Sequence, residues 1–547
     1  MIRRSMAVAL TLVATMLLLS LAGCGQGLPV MLGGGETQVK SGPAAVSDDI
    51  FLALERFRSL NPAASKDEDV YFLNKLVYEG LFALDESLTT TPVLAETWSY
   101  SEDGSALALQ LRKDVLWQDG QPFDGQDVAF SVDCYKNADG HLYAGNVENI
   151  ESVVVDKKDP SVVTVYFKSN TAAGLERLTF PILPRHLYKT AFGLQRLTGD
   201  FVPVGTGPYA VTEFDANSHV ALTGNSYYRG DVPENRLIFQ IMSDSEDALN
   251  MLDINLISYA VTKSWDRDMI YRNPRVNAKS FPSNECVWLG FNFRNPFLRV
   301  KSTRQAIASA IDTTELRETC YYNSGMPCEN LYFPGFLGIN LAQDLFPADI
   351  ERAKGLLAEV GFQDMNMDGF LDCYYTDGVN EGYWTNFNLK LLVNGDDPQR
   401  VDAAKLIQGW LARAGVNCES DVKEQAEYEA ALSEGNFDLY LGTGRFNETY
   451  DLRMLLHSGY ENPVAYANPT LDILLDKASG ANLPEQRRQV FAEIRSIVND
   501  EIPYYCLLYK TYGAVASPAF SGALRPMFTN LYRNCEDWRC VYDEERK

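Results

Sequence analysis

Oxygen-bearing side chains with the spacing of a cation-binding loop occur between residues 364 and 375. Positions one, three, five, six and nine of a twelve-residue calcium loop are matched by Asp364, Asn366, Asp368, Gly369 and Asp372. Such a loop needs a bidentate glutamate at position twelve to complete the oxygen shell of Ca²⁺, and Tyr375 stands there instead. The pattern therefore fits two interpretations, a calcium site and a tight turn between a helix and a strand.

Signatures of catalysis and of nucleotide binding are missing from the sequence. It contains no Gly-x-Ser-x-Gly, no His-Glu-x-x-His and no Gly-Lys-Ser/Thr phosphate loop. A Gly-x-Gly-x-x-Ala match at 205–210 includes Pro208, which lacks an amide N–H for a phosphate. The four histidines, which lack metal-ligand spacing, are His141, His186, His219 and His457. We therefore expect no enzyme, no metal and no cofactor, although counting carboxylates does not exclude a glycosidase-like pair.

The amino-terminal residues predict a lipid-modified cysteine. Arg3 and Arg4 are followed by an almost unbroken apolar run over 6–21, which is short for a membrane span of about 20 residues. The run ends in Leu-Ala-Gly-Cys at 21–24, which resembles a bacterial lipobox; the alternative is an ordinary signal sequence with an incidental cysteine. We expect a signal peptide at 1–23, diacylglycerol on the thiol of Cys24, and a flexible tether over 24–46 that is rich in Gly, Pro and Ser.

Nine further cysteines form no metal-binding motif, because no Cys-x-x-Cys occurs. Two pairs are close enough in sequence to close small disulfide loops in an oxidising compartment: Cys320 with Cys328, and Cys535 with Cys540. Free buried thiols are the alternative, since unpaired cysteine is a common core residue. The odd number leaves at least one thiol unpaired.

The composition is that of an acidic globular protein. The chain has 547 residues, of which 46% are hydrophobic and 22% charged, and its net charge is −25. Nucleic acid is a poor partner for such a chain, because binding to phosphate needs clustered lysine and arginine. An acidic surface also repels anionic lipid, so attachment to a membrane must come from the lipid on Cys24 rather than from charge.

Hydrophobic periodicity predicts a mixed α/β protein after the tether. Alternating apolar residues predict strands at 107–111, 153–155, 162–167, 209–214 and 237–241. Helical spacing predicts helices at 68–82, 126–135, 304–318, 350–360, 400–414 and 484–499. Gly361 and Gly415 are expected to form left-handed caps, and Pro484 to occupy a first helical turn. Trp410 shares an apolar helix face with Ile407, so we expect it to pack in the core.

Short phrases spread along the chain resemble one family. They lie at 59–62, 78–82, 92–98, 101–104, 111–122, 127–131, 203–209, 304–307, 310–312 and 499–503. Read in order, they resemble the peptide/nickel-type (family 5) extracellular solute-binding proteins of ABC importers, which include oligopeptide- and dipeptide-binding proteins. The resemblance covers nearly all of the chain after the tether.

The resemblance implies an α/β, two-lobed fold of the periplasmic-binding-protein type (type II, large peptide-binding class). The first lobe would comprise 47–288 plus 502–547, and the second 289–501. The hinge crossings would then fall near 288–292 and 502–509. A solute trapped between the lobes would favour the closed state and give the permease a shape to recognise.

By resemblance, three segments are candidates for the ligand-binding cleft. The strand before the Leu-Asn-Pro phrase offers Arg56, Phe57 and Arg58. The hinge strand carries Phe291, Asn292 and Phe293. The second lobe contributes the loop residues Gly444, Arg445, Phe446 and Asn447. For each segment the alternative is ordinary strand core or solvated loop.

The loop of the second lobe departs from the pattern of the peptide binders. Those proteins usually carry a Gly-Trp phrase followed by an aspartate that pairs with the α-ammonium of the peptide. This chain has no tryptophan there and has Asn447 near the expected acid. An amide offers no charge to an ammonium, whereas Arg445 would favour a carboxylate. Glu448 and Asp451 are the acids close enough in sequence to take the aspartate's place.

The resemblance implies a lipid-anchored solute-binding protein on the outer face of the bacterial cytoplasmic membrane. It would act as a monomer, with a small solute and the permease subunits of an ABC importer as partners and no nucleic acid. Peptide is the leading ligand. The alternatives are another solute on the same scaffold (a metal chelate, an opine or a glycan), a surface-attached hydrolase, and a signalling or adhesion module.

Overall fold

The computed structural model describes residues 45–168, 174–188, 190–197, 199, 201–243, 246–263, 276–374, 382–480 and 483–542. The predicted signal peptide, Cys24, most of the predicted tether and Tyr375 lie outside these ranges. The last two residues of the predicted tether, Ala45 and Val46, belong to a strand. None of the described helices combines the length and the apolar character that a bilayer crossing would require.

The described strands are numbered in chain order. They are β1 (Ala45–Ser47), β2 (Asp49–Glu55), β3 (Phe82–Leu84), β4 (Thr90–Pro92), β5 (Ala95–Tyr100), β6 (Ala106–Leu111), β7 (Ile150–Val155), β8 (Val162–Phe167), β9 (Tyr209–Asp215), β10 (His219–Gly224) and β11 (Arg236–Met242). They continue with β12 (Tyr259–Thr262), β13 (Asn277–Phe291), β14 (Gly325–Met326), β15 (Asp372–Tyr374), β16 (Trp384–Asn386), β17 (Asn388–Asn394), β18 (Asn417–Lys423), β19 (Leu439–Arg445), β20 (Tyr504–Ala516), β21 (Phe520–Ser521) and β22 (Arg539–Tyr542).

The described α-helices vary from one to five turns. They are Glu68–Val77, Gly125–Asn137, Ala144–Val147, Ala191–Gln195, Glu246–Leu252, Lys301–Ala310, Thr313–Cys320, Ile350–Val360, Pro398–Arg413, Gln425–Glu434, Arg453–Leu456, Pro469–Ser479 and Pro484–Glu501. Short 3₁₀ turns lie at Leu175–Leu178, Arg185–Leu187, Phe336–Gly338 and Cys535–Asp537.

One mixed sheet joins strands from both halves of the chain, in the order β18-β17-β19-β13-β20-β12-β2-β11-β10-β9, with β14 beside β20. Strand β2 is parallel to both of its neighbours, β11 and β12. The two longest strands, β13 and β20, pair antiparallel in the middle of this sheet. A second, antiparallel sheet has the order β5-β6-β8-β7.

The large mixed sheet contributes residues to two separate hydrophobic cores. The first core contains Phe281 of β13 and Tyr512 of β20, while a second core contains Val287 and Leu508 of the same strands. An adjoining aromatic core contains Cys286 of β13. We call the elements around the first core the first lobe, and those around the other two cores the second lobe. Strand β13 therefore changes lobe between 281 and 286, where its pairing with β20 is bulged.

The lobe boundaries at 288/289 and 501/502 stay predictions. On β13 the change of core lies a few residues before the predicted crossing at 288–292. On β20 it falls between Tyr509 and Tyr512, at the end of the predicted crossing at 502–509. Both strands therefore pass between the lobes as continuous extended chain.

Most predicted elements are confirmed within a few residues, but two predicted helices are too long. The predicted helix at 304–318 is two helices, because Asp312 accepts hydrogen bonds from the amides of Thr314 and Glu315 and starts a second helix. The predicted helix at 68–82 ends at Val77, since Tyr78 is extended. Beyond it, Gly80 approaches the backbone of Thr179 so closely that a Cβ atom would stand 2.9 Å from it.

The predicted caps and core position are confirmed. Gly361 has φ +101° and Gly415 has φ +84°, which are left-handed conformations just past two helix ends. Pro484 begins the last long helix. Trp410 is 5% exposed and packs in the second core.

Candidate functional site

The helix Glu68–Val77 turns a polar edge toward the second lobe. Its buried residues pack into the first core. Glu68, Tyr71 and Lys75 lie three and four residues apart, and this spacing places them on one face of a helix. Tyr71 and Lys75 remain half-buried, while Glu68 is exposed. Residues of the first lobe thereby meet the loop that follows β19.

That loop is fixed by packing and by its own turn. The ring of Phe446 stacks on Trp288 with centroids 6.0 Å apart, and its amide donates to the carbonyl of Asn284. The side-chain oxygen of Asn447 accepts hydrogen bonds from the amide and the hydroxyl of Thr449. The turn that these bonds hold directs Glu448 toward the first lobe, where its Oε1 accepts a hydrogen bond of 3.4 Å from the hydroxyl of Tyr71.

A cavity of about 380 Å³ lies beside this contact. Its wall is built by the first lobe and is completed by Glu448 of the second lobe. The polar side chains in the wall are Lys75, Tyr78, Glu79, Tyr143, Thr179, Tyr228, Arg229, Glu448, Thr529 and Asn530. Aromatic and charged groups thus face one partly open cavity, which is the usual character of a small-molecule site.

The charges in the wall differ in how well they are compensated. Glu79 and Arg229 form a bidentate pair at 2.6 and 2.8 Å. Lys75 has no such partner: its Nζ lies 4.6 Å from the centroid of the Tyr71 ring, and Glu448 acts on it only at longer range. Burial lowers the pKa of Lys75, and the Glu448 carboxylate partly opposes this effect.

Two tyrosine hydroxyls near the cavity are buried without a hydrogen bond. Tyr78 is 3% exposed and Tyr143 is 5% exposed. In the described part of the chain the Tyr143 hydroxyl has no hydrogen-bond partner, and the Tyr78 hydroxyl has at most a poorly aligned interaction with the backbone of Val204. A buried hydroxyl without a partner is costly, by roughly 1–3 kcal/mol, so these groups favour a polar molecule nearby.

A buried ion pair joins the two lobes at a second point. Arg487, on the last long helix of the second lobe, donates to Glu176 of the first lobe at 2.6 Å. The side chains are 11% and 6% exposed. Arg487 also donates to the carbonyl of Thr449, so the pair is tied to the loop that carries Glu448. The structure therefore shows the lobes in contact.

Only one residue of the first predicted segment lines a cavity. Arg56 borders a different cavity of about 360 Å³ in the first lobe. Phe57 instead stacks on Phe214, with centroids 6.2 Å apart. Arg58 is exposed, and its amide donates to Asp67.

The second predicted segment lies in the interior of the second lobe. Phe291 is fully buried in the second core. The side chain of Asn292 donates to the carbonyls of Gly435 and Phe437, and Phe293 packs on Tyr466.

Strand register explains why this segment is far from the loop. Glu285 pairs with Arg445, whereas Phe291 pairs with Leu439 at the other end of the same two strands. Six residues of strand separate the two positions by about 20 Å, at roughly 3.3 Å per residue. The structure thus does not bring the second and third predicted segments together.

The third predicted segment borders the lobe contact, but its residues mostly contact strand β13 and the rest of their own loop. A Cβ atom at Gly444 would stand 2.9 Å from the Trp288 ring, so glycine permits this packing. Arg445 pairs with Glu285 at 3.2 Å, and Glu285 also binds Lys510. Although burial raises the pKa of Glu285, these two cations lower it below its ordinary value.

Glu448 and Asp451, the two acids that could replace the missing aspartate, differ in their surroundings. Asp451 is bound by Arg453 through three hydrogen bonds. Within the described ranges, Glu448 has only the long hydrogen bond from Tyr71, and it lines the cavity.

Sequence reasoning missed Tyr71 and Lys75. The signal was available in part, because both lie on the polar face of a helix that is otherwise apolar. The residues opposite that face belong to the loop after β19, which is distant in sequence. The helical spacing of residues 68–77 does not reveal this contact.

The predicted loop at 364–372 has the contacts of a tight turn. Asp364 accepts the amides of Asp368 and Gly369, and Gly369 has φ +92°. Within the described ranges, no group of three His, Cys, Asp or Glu side chains is arranged to hold a metal ion. Because Tyr375 lies outside those ranges, the calcium interpretation stays a prediction.

The nine described cysteines are buried free thiols. Neither short loop, Cys320 with Cys328 or Cys535 with Cys540, is closed by a disulfide. The sulfur atoms of Cys286 on β13 and Cys506 on β20 lie 3.5 Å apart.

Comparisons with known proteins agree on one family. Residues 89–462, more than half of the chain, match the family described as "Bacterial extracellular solute-binding proteins, family 5 Middle". Heme-binding protein A of Haemophilus influenzae is 24% identical over 95% of this chain and 96% of its own length. Oligopeptide-binding protein AppA of Bacillus subtilis is 23% identical over 87% of this chain and 89% of its own. The crystal structure of an ABC transporter substrate-binding protein from Sinorhizobium meliloti has a TM-score of 0.71 at 20% identity, covering 89% of this chain and 99% of that structure.

Proposed function

The chain belongs to the bacterial extracellular solute-binding proteins of family 5, and from this premise we propose that it delivers short peptides to an ABC importer. Proteins of this family are extracytoplasmic, non-enzymatic components that bind small ligands and work with ABC permeases. The chain is accordingly a solute-binding protein with a two-lobed α/β fold, and not an enzyme.

The observation that carries the peptide proposal is the position of Glu448. Its carboxylate completes the wall of the 380 Å³ cavity and receives, from the residues that the structure describes, a single long hydrogen bond of 3.4 Å. An α-ammonium that entered the cavity would gain a charge-assisted hydrogen bond from it. Glu448 thus supplies the negative charge that Asn447, being an uncharged amide, lacks.

The relatives support peptide without deciding the ligand. AppA of Bacillus subtilis is an oligopeptide-binding protein, while other relatives are named for heme, glutathione and nickel. The ligand class of this chain therefore has to be inferred from the residues that line the cavity, among which Glu448 favours an amine.

We further propose a hinge where β13 and β20 pass between the lobes. Those crossings are continuous strands, and the pairing of β13 is bulged between Pro282 and Cys286. A solute between the lobes would stabilise the closed arrangement, since it gains contacts from both lobes only there. Closure also excludes water and strengthens the polar contacts that hold the solute.

Attachment to the membrane is proposed to depend on the lipid at Cys24. Replacing Cys24 with serine removes the thiol that carries the lipid. We expect the variant to be secreted or released from the membrane fraction, whereas the native chain fractionates with membranes into detergent. A mature chain in the membrane fraction whose Cys24 thiol carries no diacylglycerol, as measured by mass spectrometry, would contradict the lipid anchor. Scattering from the released variant should give the mass of a monomer.

Native mass spectrometry of freshly purified protein tests the function. We expect a retained solute of peptide mass at a ratio of one to one, unchanged on incubation. Glu448→Gln should lose it, while the exposed control Glu461→Gln should keep it. A trapped metal chelate, opine or glycan would replace the peptide proposal, and equal retention by Glu448→Gln would place the ligand elsewhere.

A further inference from the structure

Within the described part of the chain, Lys75 is compensated only weakly, by the Glu448 carboxylate at longer range. It lies on the cavity wall and is half-buried. In the described part of the chain it forms no ion pair, and its contact is with the face of the Tyr71 ring. Buried lysines are usually paired, so this position favours an anionic group that is not part of the chain.

Tyr71 contacts both Lys75 and Glu448, the acid of the second lobe. The Tyr71 hydroxyl contacts Glu448, and the face of the same ring contacts Lys75. Both charges therefore lie near the same ring, and no ion pair joins them in the described part of the chain. Each charge is thus available to one end of a small molecule.

We propose that Lys75 binds the carboxylate of the substrate while Glu448 binds its ammonium, so that the substrate is a small zwitterion such as a dipeptide. This inference rests on the proposed function and narrows it. It assigns a ligand-binding role to a helix residue of the first lobe and predicts that both termini of the peptide must be free.

The size of the cavity agrees with a short substrate. Its volume of about 380 Å³ would hold about a dozen waters, at roughly 30 Å³ each. That is the space of a dipeptide rather than of a long extended peptide. The wall also contains the aromatic rings of Tyr78, Tyr143 and Tyr228, which can pack against small side chains without selecting a particular one.

The pKa of Lys75 follows from the same burial and gives the proposal a pH dependence. Burial lowers the pKa of Lys75, and a carboxylate bound beside the ammonium would raise it again. Binding should therefore take up protons at alkaline pH, where the unliganded lysine has begun to lose its proton.

Calorimetric titration with blocked dipeptides tests the proposal on the full chain in detergent. The probes are Ala-Ala, Ala-Ala-amide, whose carboxylate is neutralised, and N-acetyl-Ala-Ala, whose ammonium is removed. The native chain should bind each blocked probe at least tenfold more weakly than Ala-Ala. In Lys75→Gln the penalty for the amide should fall below threefold, while the penalty for the acetylated probe should remain.

Two control variants show whether the effect of Lys75→Gln on the blocked dipeptides comes from the loss of charge at position 75. Lys75→Arg retains the charge and should retain the penalty for the amide. Lys113→Gln, which removes an exposed lysine paired with Asp159, should behave like the native chain. If Lys75→Gln does not fold, the native chain still decides the question, because it must distinguish Ala-Ala from its amide.

The outcomes separate this proposal from the proposed function. Equal binding of Ala-Ala and its amide by the native chain overturns the role of Lys75 and leaves peptide binding standing. A penalty for the amide that persists in Lys75→Gln also overturns it. If the native chain binds neither probe and retains no peptide on purification, both proposals fail.

Discussion

Replacing Glu176 with glutamine should weaken closure of the lobes. Glu176 belongs to the first lobe and accepts a hydrogen bond of 2.6 Å from Arg487 of the second. Their side chains are 6% and 11% exposed, so water screens the pair little. Glutamine keeps the size of the side chain and removes its charge, which leaves the Arg487 guanidinium without its counter-ion when the lobes close.

The size of the effect follows from this burial. Removing one partner of a buried ion pair typically costs about 3–5 kcal/mol. Glutamine can still accept one hydrogen bond, so the lower end applies. A loss of about 3 kcal/mol is about 100-fold, since each 1.4 kcal/mol is tenfold. The apparent affinity for solute should fall by up to this factor, because binding requires the closed form.

The assay is calorimetric titration of the solute that is recovered from the native protein. Protein is stripped by reversible unfolding, and the recovered solute is added back to native and Glu176→Gln chains. Glu176 does not line the 380 Å³ cavity, so a change in affinity reports closure rather than lost contact. Affinities within threefold of each other would refute the reasoning that this pair stabilises the closed arrangement.

Asp344→Asn is the matched control. Asp344 forms a bidentate pair with Arg317 at 2.8 and 3.0 Å, and these side chains are 19% and 10% exposed. Both residues belong to the second lobe, so this substitution should lower the unfolding midpoint without changing the affinity for solute. A comparable loss of affinity in Asp344→Asn would show that general destabilisation, and not the lobe contact, is being measured.

Three further predictions concern the scaffold. Gly442→Ala should lower the unfolding free energy, measured in urea, by at least about 1–3 kcal/mol. The reason is that the alanine Cβ would stand 2.2 Å from Nε1 of Trp288. An unchanged unfolding midpoint would contradict this close packing of Gly442 on Trp288. Asp312→Ala should cost about 1 kcal/mol in the same assay, since its carboxylate caps a helix; no loss would mean that the cap is dispensable. Burial raises the pKa of Cys134 and of Cys418 from 9.0 to about 12. The unfolded chain then releases thiol protons at lower pH than the folded chain, so the unfolding free energy should fall between pH 9 and 12, and a flat profile would contradict this.

Much of the fold could be predicted because its signals are local. The helix Ile350–Val360 was bounded by periodicity and by Gly361, and the strand β8 by simple alternation. The break at Asp312 was missed because the apolar spacing continues across it. The extended backbone of Ile311 and the hydrogen bonds that Asp312 accepts show that one helix ends and another begins.

The order of the strands was beyond local signals. Strand β2 lies between β11 and β12, which follow it by about 190 and 210 residues. Short strands such as β3 and β14 contain too few residues to show a period. Such pairings are fixed by contacts between distant segments, and single-sequence patterns do not contain them.

The ligand-binding residues named by resemblance stay predictions, and the structure shows only where each of them lies. The loop after β19 does border the lobe contact, as the resemblance implied. The turn made by Asn447 and Thr449 directs the neighbouring Glu448 inward, and no spacing rule distinguishes those two positions. Phe291 was placed near the ligand by analogy with the hinge, whereas strand register places it in the core.

Small-angle scattering with and without solute tests the central claim most directly. We expect the native chain that carries its solute to have a smaller radius of gyration than the stripped chain. Adding solute back should restore the smaller value at a ratio of one to one. A radius of gyration that does not respond to solute would contradict a protein whose two lobes close on the molecule they carry.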